Sequence, residues 1–295
     1  MAYKTSTLAS LLEIKEPIDI VDIGANPVVG EAEAPYRPLV DSGLAHVYGF
    51  EPNPEALARL NAIKGKNETY FSSAVYDGAQ QELRVCEMEG MNSLLEPNIN
   101  LLSYLHGFSE WGKVLERISV PTVRLDDFKE IKNLDYLKID IQGGELEVFR
   151  NGTNRLKECL VIQTEVEFLP MYEGQPLFSE VELYLRELGF TFHKFFPLVS
   201  RIVQPMLLNK DIYSELSQAT YADAIFVKDF TKFDQLDPEQ LKKITLILND
   251  IYGSFDIALR ALMACDAKNN SNYTEQYLKY LNKQNSEEKG FREEA

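Results

Sequence analysis

Apolar positions along this chain switch repeatedly between a run pattern and a helical one. Ile18-Asp19-Ile20-Val21-Asp22-Ile23 is a short apolar-rich run that stops at Gly24, and 46–51 is another that stops at Glu51. Both read as strands of a buried sheet. Further strands are expected at 69–74, 81–87, 117–124, 136–141, 159–166, 190–195 and 221–228. Between them the spacing turns helical. Leu8, Leu11, Leu12 and Ile14 predict a leading helix over 5–14, and 35–42 a helix closed by Gly43. Pro54 opens another helix, with Ala56, Leu57 and Leu60 on its inner face. A short helix follows the Gly143-Gly144 break, and Phe178, Val181, Leu185 and Leu188 mark a helix face that ends at Gly189. From Pro238 the repeat Leu241, Ile244, Leu248, Ile251, Phe255, Leu259, Leu262 predicts one long amphipathic helix. Beyond Lys268 the chain is polar and reads as a frayed or flexible tail. Residues 88–116, which hold Trp111, fit neither period; an irregular stretch of that length is functional or misread.

Alternating strands and helices predict a doubly wound α/β sheet. Such sheets bind ligands beyond the carboxyl ends of their strands, where the strand order switches. Gly24, Glu51, Asp77 and Asp140 all fall at or just past expected strand ends. A glycine turn after one strand, and an acid at the end of the next about one βαβ unit later, suit a nucleoside. The glycine permits close approach, and the acid accepts hydrogen bonds from ribose hydroxyls. The turn itself, Gly24-Ala25-Asn26-Pro27-Val28-Val29-Gly30, lacks the second and third glycines of a dinucleotide fingerprint, and Pro27 removes an N–H that would face a pyrophosphate. There is no Walker A loop. The pattern therefore favours S-adenosylmethionine, which carries no phosphate, over NAD or FAD.

Composition narrows the partners. The chain has 295 residues, 45% of them hydrophobic, and a net charge of −16 from 30 basic and 46 acidic residues. That charge opposes a nucleic-acid substrate and an anionic membrane surface. No run approaches a membrane span, and the first residues lack a secretory pattern, so a cytoplasmic location is expected. Cys86, Cys159 and Cys265 are far apart and read as small buried apolar residues in a reducing compartment. His46, His106 and His193 show no ligand spacing.

Four segments carry a family resemblance: Val21-Asp22-Ile23-Gly24-Ala25-Asn26, Phe50-Glu51-Pro52-Asn53-Pro54, Val123-Arg124-Leu125-Asp126-Asp127-Phe128 and Leu137-Lys138-Ile139-Asp140-Ile141-Gln142-Gly143-Gly144-Glu145-Leu146-Glu147-Val148. Over about 18–230 the chain resembles the FkbM-type S-adenosylmethionine-dependent methyltransferases. Gln142 stands where members commonly have Glu, Gly144 where they have Ala, and Pro27 where they have an apolar residue. The resemblance implies a Rossmann-like class I methyltransferase fold, with a mostly parallel seven-stranded sheet, helices on both faces and an added C-terminal helix. With the patterns read along the chain, this gives an expected division into a leading helix (1–15), a methyltransferase domain (16–230), a helical extension (231–267) and a tail (268–295). It implies methyl transfer to a hydroxyl of a sugar, glycan or secondary metabolite. Asp22, Gly24, Asn26, Glu51, Pro52, Asn53, Ala74, Asp77 and Asp140 would then line the cofactor. Glu51 would bind the ribose, Asp77 the adenine amino group, and Asp140 would lie beside the sulfonium. Asp140 is the first candidate for the base and Glu165 the second.

Competing readings exist for several of these. Asp77-Gly78 is also a turn signal, Asp140 could cap the following helix, and Glu165 could pair with Lys138. Magnesium is used by some related enzymes, and Asp140 with Glu165 would be its ligands here. The stripe of the terminal helix reads as core first and as a homo-oligomer interface second. A methyltransferase-like binding domain without catalysis is the alternative function.

Overall fold

The computed structural model describes residues 7–26 and 33–293. The turn that contains Pro27 and Gly30 lies outside the described residues. In chain order the elements are α1 (Thr7–Leu12), β1 (Ile18–Ile23), α2 (Arg37–Asp41), β2 (Ala45–Phe50), α3 (Pro54–Ile63), β3 (Glu68–Phe71), β4 (Ala74–Val75) and β5 (Gln80–Cys86). There follow α4 (Ile99–Leu102), α5 (Phe108–Trp111), β6 (Val114–Val123), β7 (Tyr136–Ile139), α6 (Glu145–Arg150), α7 (Thr153–Glu158) and β8 (Val161–Glu167). The chain closes with α8 (Phe178–Glu187), β9 (Phe190–Arg201), β10 (Gln218–Lys228), α9 (Pro238–Asp250), α10 (Phe255–Asn269) and α11 (Tyr273–Glu293).

Among the described residues, seven strands form one sheet in the order β3-β2-β1-β7-β8-β10-β9. The pairs β2–β3, β1–β7 and β7–β8 are parallel, and β10 runs antiparallel to β8. The order reverses at β1, between β2 and β7, and a doubly wound sheet is expected to bind its ligand beyond the ends of the strands at such a switch. A second sheet, β4-β6-β5, takes up 74–75, 80–86 and 114–123. The expected strand at 69–74 is thus split between two sheets, and the one at 117–124 is longer than its apolar pattern suggests. All six residues of β1 are buried, as a strand covered on both faces requires.

The described chain divides into two compact units. One comprises the described residues of 19–32 and 47–227, and holds both sheets. Its core joins Val21, Ile23, Phe50, Leu137, Ile139, Val148, Phe149, Ile162, Leu185 and Phe226, all nearly inaccessible. The stretch 88–116, which lacked a period, is folded around a smaller cluster of Cys86, Met91, Leu102, Leu105, Phe108, Met171 and Tyr172. Its helices are single turns, too short to display a 3.6-residue repeat. Glu96 pins it to the second sheet through Arg117 at 2.7 Å and Arg84 at 3.1 Å.

The other unit comprises the remaining described residues and is helical. Two expectations change here. The single helix predicted from Pro238 to Leu262 is two, because Gly253 adopts φ +59° and ends α9 before Phe255 starts α10. Every residue from Leu241 to Leu248 is buried, including Lys242, whose ammonium lies 4.9 Å from the Tyr273 ring centre. The polar segment expected to be a flexible tail forms α11 over Tyr273–Glu293. Tyr277 anchors it, fully buried, with its hydroxyl donating to Asn249 Oδ1 at 2.8 Å. No helix of the described residues is long and apolar enough to cross a membrane.

Candidate active site

Three strand ends are tied together by backbone hydrogen bonds. The N–H groups of Gly24 and Ala25 both donate to Phe50 O, at 3.0 and 3.1 Å, and Asp140 N–H donates to Ile23 O at 3.0 Å. Gly24 has φ +81°, and a Cβ there would lie 1.9 Å from Asp140 O. Glycine is therefore demanded twice: by the left-handed turn and by the contact with β7.

Glu51 follows β2 and is only 5% exposed. Its Oε1 accepts the Asn53 N–H at 2.7 Å. Burial pushes its carboxyl up to about 7, against the pull of the Asn53 N–H; Glu89 adds to the rise and Arg59 reduces it. Asn53 caps α3, its Oδ1 accepting from Glu55 N and Ala56 N. Pro52 links the two. Asn26 donates to Glu89 Oε1 at 2.9 Å and accepts from Arg59 at 3.1 Å, so an exposed Arg59–Asn26–Glu89 cluster flanks this strand end.

Asp22 is buried on β1 and pairs with Lys138 Nζ at 3.5 Å, its neighbour in register on β7. Asp140 and Asp223 add to the field that holds the buried lysine charged, which outweighs the cost of desolvation. Lys138 is thus engaged with Asp22, and the pairing with Glu165 suggested by the sequence gives way to another partner.

That partner is Gln142. It adopts φ +60°, and its Nε2 donates to Asp140 Oδ1 at 2.8 Å and to Glu165 Oε2 at 2.6 Å. One amide thus bridges both candidate catalytic carboxylates. Its Oε1 accepts from the Tyr172 hydroxyl at 3.0 Å, and its backbone O accepts from the Ser93 hydroxyl at 2.7 Å. Burial, then the charges of Asp140, Glu167, Glu145 and Asp223, hold the Glu165 carboxyl well above the usual range. The turn after β7 is capped by Glu145, whose Oε1 accepts from Ile141 N at 2.9 Å and Gly143 N at 3.3 Å. Asp140, read as a candidate cap, turns its carboxylate to Gln142 instead. Burial also drives Glu145 up to about 7. Glu167 is buried beside them, its Oε1 without a hydrogen-bond partner among the described residues.

Asp77 behaves as the turn residue of the competing reading. Its Oδ1 accepts from Ala79 N and the Thr122 hydroxyl, and its Oδ2 from Gln81 Nε2. Ala74 pairs with Thr122 across β4 and β6. The structure therefore brings Asp22, Gly24, Glu51 and Asp140 to adjacent strand ends and joins Asp140 to Glu165, while Ala74 lies on β4 of the second sheet and Asp77 in the turn after it. The bridging by Gln142 and Tyr172 was not read from sequence; the signal for it was the departure at Gln142 from the pattern the chain otherwise resembles. Among the described residues, no group of three or more His, Cys, Asp or Glu is placed to hold a metal ion.

A sheet ordered 3-2-1-4-5-7-6, with its acids at the ends of the first, second and fourth strands, defines the class I methyltransferase fold. The chain belongs to the family of the methyltransferase FkbM domain, whose model matches residues 22–192. It is 29% identical over 192 residues, 60% of this chain and 74% of the relative, to the 2-O-methyltransferase NoeI of Sinorhizobium fredii (strain NBRC 101917 / NGR234). Among solved structures it is similar to a putative methyltransferase from Thermoplasma acidophilum, at 12% identity and TM-score 0.38, over 73% of this chain and 70% of that one. It is also similar to magnesium protoporphyrin IX methyltransferase of Synechocystis PCC 6803 with bound SAM, at 12% identity and TM-score 0.35, over 75% and 76%.

Proposed function

We propose that this protein is an S-adenosylmethionine-dependent O-methyltransferase acting on a hydroxyl of a sugar, glycan or secondary metabolite. The observation that carries the reading is Glu51, a buried carboxylate at the β2 end, beside the left-handed Gly24 turn, in a member of a methyltransferase family. The residues present fit the cofactor. Glu51 offers carboxylate oxygens to two ribose hydroxyls, and Gly24 supplies the left-handed turn that lets β1 end tight against β7, where such a sheet holds its ligand. Asp22, Asn26 and Asp140 are the polar groups around it. The relative named as a 2-O-methyltransferase favours oxygen as the accepting atom.

S-adenosylmethionine, when bound, supplies a methyl carbon activated by a sulfonium whose bonding pair leaves with sulfur. The chain has two tasks beside it. It must hold the acceptor in line, which in favourable intramolecular cases contributes roughly 7–11 kcal/mol. It must also take the hydroxyl proton as the acceptor oxygen bonds to the methyl carbon. Asp140 or Glu165 receives that proton, a step worth about 10²–10⁴ in rate. The raised Glu165 carboxyl brings a base nearer to the working pH, at the cost of holding its own proton longer.

Calorimetric titration with S-adenosylhomocysteine tests the cofactor half; no binding at millimolar concentration overturns it. Mass spectrometry of hydroxylated acceptors incubated with S-adenosylmethionine tests the chemistry. A second reading, a binding domain without turnover, draws on Gln142, whose amide occupies both carboxylates. It predicts cofactor binding with no methylated product from any acceptor.

A further inference from the structure

We infer that Gln142 is a positioning residue that holds the carboxylates of Asp140 and Glu165 as one pair facing the acceptor hydroxyl, with Tyr172 fixing which end of its amide they meet. The inference rests on the methyltransferase reading above. Three observations carry it. The carboxylates come from different elements, the β7 end and β8, and Gln142 Nε2 contacts both, at 2.8 and 2.6 Å. The Tyr172 hydroxyl stands 3.0 Å from Gln142 Oε1, so turning the amide over would leave carbonyl oxygen against two carboxylates. The backbone is pinned as well, since Gln142 O accepts from Ser93 in the segment 88–116.

An amide suits this place because it is a neutral donor with two protons. A carboxylate there would add a further like charge to a crowded site. Glu165 already faces Asp140 from the β7 end, Glu145 from α6, Glu167 from its own strand, Asp223 from β10 and the Tyr172 phenol. Lys138 is the nearby cation, and it is engaged by Asp22. Hydrogen bonds donated to a carboxylate favour its charged form. Gln142 therefore keeps Glu165 more acidic than burial alone would allow, while leaving the cofactor contacts at Glu51 untouched.

The test uses the full chain with glutamate labelled by ¹³C at the side-chain carboxyl. The Glu165 carboxyl signal, assigned by its loss in Glu165→Gln, is followed by NMR against pH in wild type, Gln142→Met and Tyr172→Phe. Gln142→Met should raise its titration by about one pH unit, and Tyr172→Phe should move it less in the same direction. Affinity for S-adenosylhomocysteine should fall by less than the roughly tenfold expected of Glu51→Ala, as both variants keep the Glu51 and Asp140 carboxylates. Where an acceptor is methylated, kcat of Gln142→Met should fall about tenfold at neutral pH and recover as pH rises, with KM unchanged. An unmoved Glu165 titration in both variants overturns the positioning role. Absence of methyl transfer by the wild type overturns the methyltransferase reading instead, and the NMR titration still decides whether Gln142 governs the pair.

Discussion

Glu51 and Gly24 make different demands on substitution. Glu51→Ala should leave the fold intact, because the residue sits at a strand end and its side chain's one described hydrogen bond is to the adjacent Asn53 N–H, while the backbone bond to Phe71 O survives the substitution. Loss of a carboxylate that accepts two hydroxyls should weaken S-adenosylhomocysteine at least about tenfold by calorimetry. An unchanged affinity would refute the ribose role. Gly24→Ala should act on stability instead. The new Cβ meets Asp140 O at 1.9 Å in a left-handed turn, so a loss of more than about 2 kcal/mol is expected in urea unfolding. Both residues were legible in the sequence because each ends a strand within one βαβ unit. Gln142 was not, because its partners lie 23 and 30 positions along the chain and only folding brings them to one amide. Asp77, which the resemblance places at the adenine, has its carboxylate oxygens engaged by Ala79, Gln81 and Thr122, as a turn residue would.

Elements with strong local signals matched their expectations. β1, β2 and β7 were marked by apolar runs that stop at glycine or acid, and α3 by Pro54 behind a capping Asn53. Replacing that cap by Ala removes the acceptor for two helix N–H groups and should cost about 1 kcal/mol in thermal unfolding. A cost near zero would mean that water replaces the cap. Other elements were illegible for physical reasons. β6 starts ahead of the expected 117–124, at 114–116, where two of three side chains are exposed and no alternation marks a strand. α4 and α5 are single turns. The break between α9 and α10 was hidden because the apolar repeat continues across Gly253; only the backbone angle reveals the stop.

At the scale of the molecule, the charge balance makes stability depend on pH in a definite direction. Glu51 and Glu145 keep their protons in the folded chain up to about pH 7, because burial resists their ionisation. Ordinary unfolded carboxyls release theirs near 4.5. Between those limits the folded chain binds more protons, so their contribution is full below about pH 4.5 and is lost as pH rises through about 7. Hydrogen bonds from Arg117 hold Glu96 low, and one from Thr231 does the same at Asp229. That stabilisation has the opposite sign and is lost as pH falls through their lowered values. A net charge of −16 at pH 7 adds self-repulsion on the alkaline side. The cofactor-free protein should therefore melt several degrees higher at pH 5.5 than at pH 8 in scanning calorimetry, and Glu145→Gln should flatten the slope. A Tm that climbs steadily over that interval would contradict the burial argument.

The left-handed backbone at Gln142 also limits what mutation can supply there. Asn tolerates the angle but is one methylene too short to reach both carboxylates, and Gly tolerates it but brings no amide. Glu has the length and is common in the family here, but it can donate one hydrogen bond only when protonated, where the amide donates two. Position 142 therefore has few workable neighbours in sequence space: a saturation library selected for turnover should return glutamine first and glutamate second, while a library selected only for folding should return glycine and asparagine as well.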